Sequence, residues 1–254
     1  MQLAALLPLR PVSYLGEVLI AVARAFAGRW RFRMKDFGRV TADCSARAVP
    51  IVTVVNVLVG AILAFVGAVQ LIKFGAGIYV ADLVAIVTVR ELGCIMTGII
   101  MAGRTGSGFA AQLGTMNVNQ EIEAFSTMGV PPMDFLVLPR VLALSLMMPL
   151  LCCYADLIGI LGGAVVGINM LGQSATQYWV ETRGSIGLLD VGLGIGKSVV
   201  FGVLVAIAGC LRGMTSGRDA AAVGRAATSA VVLGIVWIIV TDGIFALLTN
   251  LLGI

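Results

Sequence analysis

Three charged side chains interrupt otherwise apolar stretches of the sequence, and they are the first candidates for chemistry. Arg90 and Glu91 are adjacent, and Lys197 stands in a later apolar stretch. An unpaired charge in the middle of a bilayer costs from ~3 to more than 10 kcal/mol, so such groups pair or line a water-filled cavity. Two interpretations fit equally well. The residues form either a charged cluster at a cavity mouth, which binds a polar group or gates an exit, or an ion pair that fixes helix packing.

The residue types needed for covalent or metal chemistry are scarce. The sequence has no histidine, and none of its five cysteines forms a C-x-x-C pair, so the commonest general base and metal ligands are missing. Gly196-Lys197-Ser198 resembles the end of a phosphate-binding loop, but Val191 stands where that loop needs glycine. We therefore expect no catalytic residue, no metal site and no cofactor in this chain.

The elements that position these charges are predicted to be membrane helices. Of the 254 residues, 59% are hydrophobic and only 12% are charged, whereas soluble domains average about 25% charged residues. The stretch 49–72 carries no charge and is long enough to cross ~30 Å of hydrocarbon as a helix. We predict an all-α polytopic membrane protein with about five spans, at residues 49–72, 80–102, 135–171, 188–211 and 226–252.

Residues 1–47 form a basic segment ahead of the transmembrane domain, which we place at residues 48–254. Apolar residues recur in it at helical spacing, at Leu15, Val18, Leu19, Val22 and Phe26, which predicts an amphipathic helix in the membrane interface. Of the 17 basic residues, 13 lie in segments 1–48, 102–140 and 212–225. Because basic residues concentrate in cytoplasmic segments, we predict a cytoplasmic N-terminus and a periplasmic C-terminus, with no role in nucleic-acid binding.

Short motifs between residues 90 and 140 resemble the signature region of the MlaE/YrbE permease family. They read R-E-L-G from Arg90, A-G-R-T-G-S from Ala102, L-G-T-M from Leu113, E-I-E-A from Glu121, and L-P-R from Leu138. Further similarity lies around Lys197 and at residues 223–226, and the resemblance runs from about residue 10 to residue 254. Cys94 departs from the family pattern, because proline is usual there.

The resemblance implies a homodimeric permease of an ABC-type complex in the bacterial inner membrane. Such a complex moves phospholipids or related lipids between the inner membrane and the periplasm or outer membrane, which maintains outer-membrane lipid asymmetry. The implied partners are a cytoplasmic ABC ATPase that uses ATP, a periplasmic MCE-domain protein and a STAS-domain protein. The permease itself is expected to do no chemistry.

The resemblance also suggests roles for two groups of residues. A segment at about 112–130 is expected to couple to the ATPase through Gln120, Glu121, Glu123, Phe125 and Met128. The alternative for that segment is a solvated amphipathic loop. The outer half of the first span is expected to line a lipid cavity through Leu63, Val66, Gln70, Leu71 and Phe74. For these five residues, plain lipid contact or dimer packing is the alternative, and the sequence alone favours it.

Two other function classes stay open from the sequence. A proton-coupled secondary transporter of a hydrophobic substrate could use Glu91, Asp156 and Asp242, which are acids within apolar stretches. That class predicts inverted repeats, and we find no convincing one. A membrane-embedded lipid enzyme would need a catalytic constellation that the sequence lacks.

Overall fold

The computed structural model describes Tyr14, Gly16, Glu17 and residues 34–172 and 174–253. The amphipathic helix predicted within residues 1–47 therefore falls largely outside the described residues, and so do the five apolar positions that predict it. The described end of that segment forms helix α1, Met34–Ser45. The described residues form helices and connecting turns without a β-strand, which confirms the all-α prediction.

The remaining helices alternate with short connections. They are α2 (Val49–Leu71), α3 (Val80–Val87), α4 (Gly93–Met101), α5 (Ser107–Val118), α6 (Glu121–Thr127), α7 (Leu138–Leu171), α8 (Ala175–Ser185), α9 (Leu188–Met214) and α10 (Ala220–Leu252). Wider π-helical turns lie at Thr88–Leu92, between α3 and α4, at Ala102–Gly106, between α4 and α5, and at Met133–Val137, before α7.

Within the described residues, five helical segments are long and apolar enough to cross a membrane. They are Phe37–Phe74, Gly77–Val118, Met133–Leu171, Leu188–Met214 and Ala220–Leu252, which confirms the five predicted spans. Successive spans run in opposite directions. One end of the bundle therefore carries α6 together with the start of α2 and the turn between α9 and α10, and we call it the α6 end. Helix α8 lies at the opposite end and packs against α3.

The second span is longer than the sequence predicts. We expected it to end near residue 102 and to be followed by a polar connector, but helical structure continues to Val118. Glycines in this stretch do not break the helix, because a neighbouring helix packs closely on them: a Cβ added at Gly209 of α9 would collide with the backbone of Gly106. The connector is therefore confined to residues 119–132, which include α6.

Helices α2 and α7 cross in close contact. A Cβ added at Gly60 would overlap the carbonyl of Gly159, and one added at Gly162 would overlap the backbone of Val57. Small residues at helix crossings let backbones approach and strengthen van der Waals packing where no hydrophobic effect drives association. The face of α7 that carries Gly159 and Gly162 is thus an intramolecular packing surface.

Helix α8 is held against the second and third spans by one buried aromatic side chain. Tyr178 is 2% exposed and packs with Ala81 of α3 and Ile160 of α7. Its hydroxyl lies 3.5 Å from the carbonyl oxygen of Ile160. Burial raises the pKa of Tyr178 to about 12, because the apolar surroundings disfavour the phenolate.

Candidate functional site

Lys197 lies at the centre of a charge network inside the spans. Its Nζ is 2.5 Å from Oε2 of Glu91 and 3.0 Å from Oδ1 of Asp242. Its side chain is only 1% exposed, so the ammonium group is removed from solvent and compensated by two carboxylates. Glu91 and Lys197 thus form an ion pair, and Asp242 on α10 is an additional partner.

A second ion pair adjoins the first. Arg90 Nη1 lies 3.4 Å from Oδ1 of Asp190, whose other carboxylate oxygen accepts a hydrogen bond from the backbone N–H of Gly187 and caps α9. Lys197 Nζ also approaches the carbonyl oxygen of Arg90, at 3.5 Å. We call these side chains together the charge network: Arg90, Glu91, Asp190, Lys197 and Asp242.

Two local backbone features bring the network together. Arg90 and Glu91 lie in the π-helical turn Thr88–Leu92, a structure that is often found at functional sites. Their partners Asp190 and Lys197 are seven residues apart, or two turns along one face of α9. Gly194 lies between them, and a Cβ there would collide with the carbonyl of Val89. Because Gly194 has no side chain, α9 can approach the π-helical turn closely enough for the Arg90–Asp190 and Glu91–Lys197 pairs to form.

Asp156 lies near this network without joining it. A Cβ added at Gly93 would collide with the Asp156 carboxylate, so this acid packs directly against the start of α4. Cys152 Sγ lies 3.8 Å from Oδ2 of Asp156. Oδ1 is buried and has no hydrogen-bond partner among the described residues. Of the three acids considered for proton coupling, Glu91 and Asp242 thus share Lys197, whereas Asp156 stands apart.

The residues expected to line a lipid cavity form an open face in the single chain. We call this set the outer α2 face: Leu63, Val66, Gln70, Leu71 and Phe74. Leu63 and Leu71 pack on a small apolar cluster with α3. Val66 and Phe74 point outward, with Phe74 82% exposed. This face therefore needs lipid or another polypeptide to cover it.

The outer α2 face and the charge network both lie in the half of the bundle opposite α6. Gly60 faces Gly159, and a Cβ on Gly159 would contact the side chain of Thr88, which begins the π-helical turn. The level of Gly60 along α2 is therefore close to that of Arg90 and Glu91. The outer α2 face runs from there to the end opposite α6.

The expected coupling residues lie on and beside α6. Gln120 precedes the helix with φ of 60°, in the left-handed region that lets the chain turn sharply after α5. Glu123 pairs with Arg218 in the turn between α9 and α10, while Met128 is 67% exposed. Phe125 turns inward, with its ring centroid 5.3 Å from that of Phe135. The ring of Phe125 therefore links α6 to this chain, and its expected role toward the ATPase stays a prediction.

Two members of the network were not identified as such from the sequence. Asp242 was considered only for proton coupling, and Asp190 was not proposed as a site residue. The spacing of seven between Asp190 and Lys197 places both on one helix face and could have signalled a shared site. No comparable local signal links Asp242 to Lys197, because helix rotation decides which face of α10 meets α9.

Comparisons with known proteins agree with the architecture. A sequence model of the family described as Permease MlaE matches residues 37–248. A probable ABC transporter permease protein of Rickettsia typhi is 38% identical over 195 residues, which cover 77% of this chain and 75% of that protein. The intermembrane phospholipid transport system permease protein MlaE of Haemophilus influenzae is 31% identical over 183 residues, covering 72% of this chain and 70% of that protein.

A plant protein is also similar. The chloroplastic protein TRIGALACTOSYLDIACYLGLYCEROL 1 of Arabidopsis thaliana is 32% identical over 170 residues, covering 67% of this chain and 49% of that protein. The family match spans both the π-helical turn of Arg90 and Glu91 and the partner residues on α9 and α10. With five spans of the expected kind and relatives named ABC transporter permeases, the chain belongs to the MlaE permease family.

Proposed function

We propose that this permease moves phospholipid or a closely related lipid as the membrane subunit of an ABC-type complex. The names of two relatives support a lipid cargo, one through intermembrane phospholipid transport and the other through a galactosylated diacylglycerol. The observation that carries the proposal is the buried charge network beside an uncovered apolar face. A lipid needs both kinds of surface, a charged one for its head group and an apolar one for its acyl chains.

Arg90 is the network member best suited to meet a head group. Its side chain is 28% exposed, and its contact with Asp190 is long, at 3.4 Å. A guanidinium group can donate two parallel hydrogen bonds to a phosphate. The outer α2 face begins near the level of Arg90 and extends toward the end of the bundle opposite α6. Acyl chains would lie along this face while the phosphate contacts Arg90.

Energy for transport is proposed to come from an ATPase partner that docks at the α6 end. Short helices such as α6 suit rigid-body coupling, because they pass a push from one subunit to the helices on which they are anchored. Phe125 anchors α6 through Phe135, and Glu123 links it to Arg218 between α9 and α10. A movement of α6 would therefore reach α9 and α10, which carry Lys197 and Asp242.

The arrangement of the complex in the cell follows from the same proposal. We place the α6 end in the cytoplasm of a bacterial inner membrane, with the C-terminus in the periplasm, because basic residues cluster at that end. An MCE-domain protein would then receive or deliver lipid at the opposite end. A second copy of the permease would complete an acyl-chain pocket lined by the outer α2 face, and a STAS-domain protein would assist at the cytoplasmic side.

A proton-coupled transporter is supported less well. Two of the acids that it would use, Glu91 and Asp242, are ion-paired with Lys197. Both carboxylates therefore share one buried ammonium group as their counter-charge. Asp156 stands outside this ion-paired group, and its Oδ1 has no hydrogen-bond partner among the described residues.

Lipid transfer by the purified complex tests the proposal. The complex is isolated through a tag on the permease and reconstituted into vesicles that contain a fluorescent phospholipid. We expect transfer to an acceptor to require ATP and to be unaffected by a pH gradient. Transfer that is driven by the pH gradient without ATP, or a preparation that contains no ATPase, would contradict the proposal.

A further inference from the structure

A charged pocket lies at the α6 end, away from the charge network. It has a volume of about 180 Å³ and lies between the corner joining α1 to α2 and the start of α5. Its polar lining comes from Asp43, Arg47, Arg104 and Gln112. The volume corresponds to about six water molecules at ~30 Å³ each, which suits a phosphate ester but not an acyl chain.

The charges in this pocket do not balance. Asp43 is already paired with Arg47, at 3.1 Å between Oδ1 and Nη1. Arg104 Nη1 donates to the backbone carbonyl of Asp43 at 3.1 Å, and no carboxylate lies within ion-pair distance of Arg104 among the described residues. A guanidinium group has five N–H donors, so a half-buried arginine bound to one carbonyl keeps most of its hydrogen-bonding capacity unused.

A second arginine adds to the imbalance. The guanidinium carbon of Arg140 lies 5.6 Å from the ring centroid of Phe109, which lines the pocket, and its Nη2 donates to Gln112 Oε1 at 3.3 Å. Within the described part of the chain, Arg140 has no carboxylate partner, and its buried Nε has no hydrogen-bond partner. Gln112, which Arg140 contacts, lines the same pocket as Arg104. The arginines in and beside the pocket, Arg47, Arg104 and Arg140, therefore outnumber its single carboxylate, Asp43.

The position of the pocket along the bundle identifies the counter-charge. The charge-free stretch of α2 begins at Val49, two residues after Arg47, and the charge-free stretch 92–103 of the second span ends one residue before Arg104, although helical structure continues to Val118. The pocket thus lies where hydrocarbon gives way to the polar layer of a bilayer. The anions concentrated at that level are lipid phosphates, and basic pockets between membrane helices are known to bind them.

We propose that this pocket binds the phosphate of an anionic phospholipid from the leaflet at the α6 end. Arg104 donates to the phosphate oxygens, Arg47 keeps the Asp43 carboxylate neutralised, and Arg140 holds Gln112 and Phe109 in place. The acyl chains remain in the bilayer outside the pocket. This site is separate from the charge network, and it requires only that the chain spans a membrane, not that it transports lipid.

Lipid retention measured by native mass spectrometry tests the site. The protein is purified from nanodiscs that contain equal amounts of phosphatidylglycerol and phosphatidylcholine. We expect the wild type to retain phosphatidylglycerol preferentially and Arg104→Gln to bind it about tenfold more weakly, as loss of hydrogen bonds to a charged group implies. Arg104→Lys should be intermediate, because lysine keeps the charge without the planar fork.

Arg183→Gln is the matched control, because Arg183 is exposed on α8 at the opposite end; it should retain phosphatidylglycerol as the wild type does. Should Arg104→Gln not fold, as judged by circular dichroism, Arg47→Gln carries the test. It frees the Asp43 carboxylate and should also weaken phosphatidylglycerol binding. Equal retention by the wild type and the pocket variants would overturn the site.

Glycerol 3-phosphate distinguishes a lipid from a soluble phosphate. It is added at increasing concentration to protein that has been stripped of lipid in detergent. We expect it to bind far more weakly than phosphatidylglycerol. Equal affinity for the two compounds would assign the pocket to a soluble phosphate ester and overturn the lipid proposal.

Discussion

Nζ of Lys197 lies 2.5 Å from Oε2 of Glu91, although 106 residues separate the two in the sequence. Lys197 also reaches Asp242, so it joins α9 to the second and the fifth span at one point. A buried ion without a partner suffers a desolvation penalty of several kcal/mol. The relative rotation of three helices therefore decides whether this network is stable.

Removal of the central cation should destabilise the protein. Lys197→Met leaves Glu91 and Asp242 close together without a counter-charge, and we expect a loss of ~3 kcal/mol of stability, at the lower end for a broken buried pair because Glu91 is 33% exposed. Thermal unfolding in detergent measures the change. Lys73→Met, at an exposed position, should leave the unfolding temperature unaltered. An unchanged unfolding temperature for Lys197→Met would contradict the ion-pair description.

Exchanging the charges of Glu91 and Lys197 should not restore the stability of the protein. In the double variant Glu91→Lys with Lys197→Glu, the new carboxylate at position 197 faces Asp242, which lies 3.0 Å from the native ammonium. Like charges at that distance repel each other. The neutral triple variant Glu91→Gln, Lys197→Met, Asp242→Asn should therefore unfold at a higher temperature than the swap. A higher unfolding temperature for the swap than for the triple variant would show that Asp242 contributes little to the energy of the network.

The spans were predictable from sequence because hydrophobicity is a local property. The charge-free stretch 49–72 and helix α2, Val49–Leu71, coincide almost completely. The end of the second span was not predictable in the same way. Gly106 and the polar residues near it predict a loop when considered alone, and the helix persists because Gly209 of α9 packs against Gly106.

The network was predictable only in part. Charges within apolar stretches identify Arg90, Glu91 and Lys197 as candidates, since such residues rarely lack a partner. Their partners depend on how α9 and α10 are rotated and on the π-helical turn that directs Arg90 and Glu91 toward α9. No pattern within a single helix encodes that rotation. The roles of these residues in transport, and those of the outer α2 face and α6, stay predictions.

Reversal of charge on α6 should separate ATP hydrolysis from transport. We expect Glu121→Lys with Glu123→Lys to keep ATP hydrolysis in the reconstituted complex while lipid transfer falls at least about tenfold, which corresponds to ~1.4 kcal/mol. Both side chains are exposed, so the unfolding temperature should change little. The measurement is lipid transferred per ATP hydrolysed. Unchanged transfer would refute the assignment of α6 to coupling.

The contact between Glu123 and Arg218 needs its own control. Glu123→Lys breaks this pair within the chain, whereas Glu123→Lys with Arg218→Glu restores it with opposite charges. If Glu123 acts by contacting the ATPase, the restored pair should still be uncoupled. Recovery of transfer by the restored pair would instead show that Glu123 acts by tying α6 to the turn between α9 and α10.

A single methyl group at the crossing of α2 and α7 should disturb packing. Gly60→Ala places a Cβ against the carbonyl of Gly159, and because both backbones are held by their helices, we expect ~1–3 kcal/mol of destabilisation. Gly243→Ala provides the control, since a Cβ there meets no atom within 4 Å. Thermal unfolding in detergent compares the two. Equal stability of Gly60→Ala and Gly243→Ala would show that the crossing is looser than described.

Alkaline pH should weaken the attachment of α8 through Tyr178. Burial raises the pKa of this tyrosine from 10.0 to about 12, so between these values the unfolded chain releases a proton that the folded chain retains. The contribution of Tyr178 to the free energy of unfolding is then fully present below pH 10. It is lost as the pH rises toward about 12, by ~1–3 kcal/mol in total. Tyr178→Phe should remove this dependence and cost less than ~1 kcal/mol at neutral pH, because its hydrogen bond is long. Unfolding temperatures measured from pH 8 to about pH 12 test the prediction, with exposed Tyr79→Phe as the control. Identical pH profiles for Tyr178→Phe and the wild type would show that the phenol is not protected from solvent in the membrane-embedded protein.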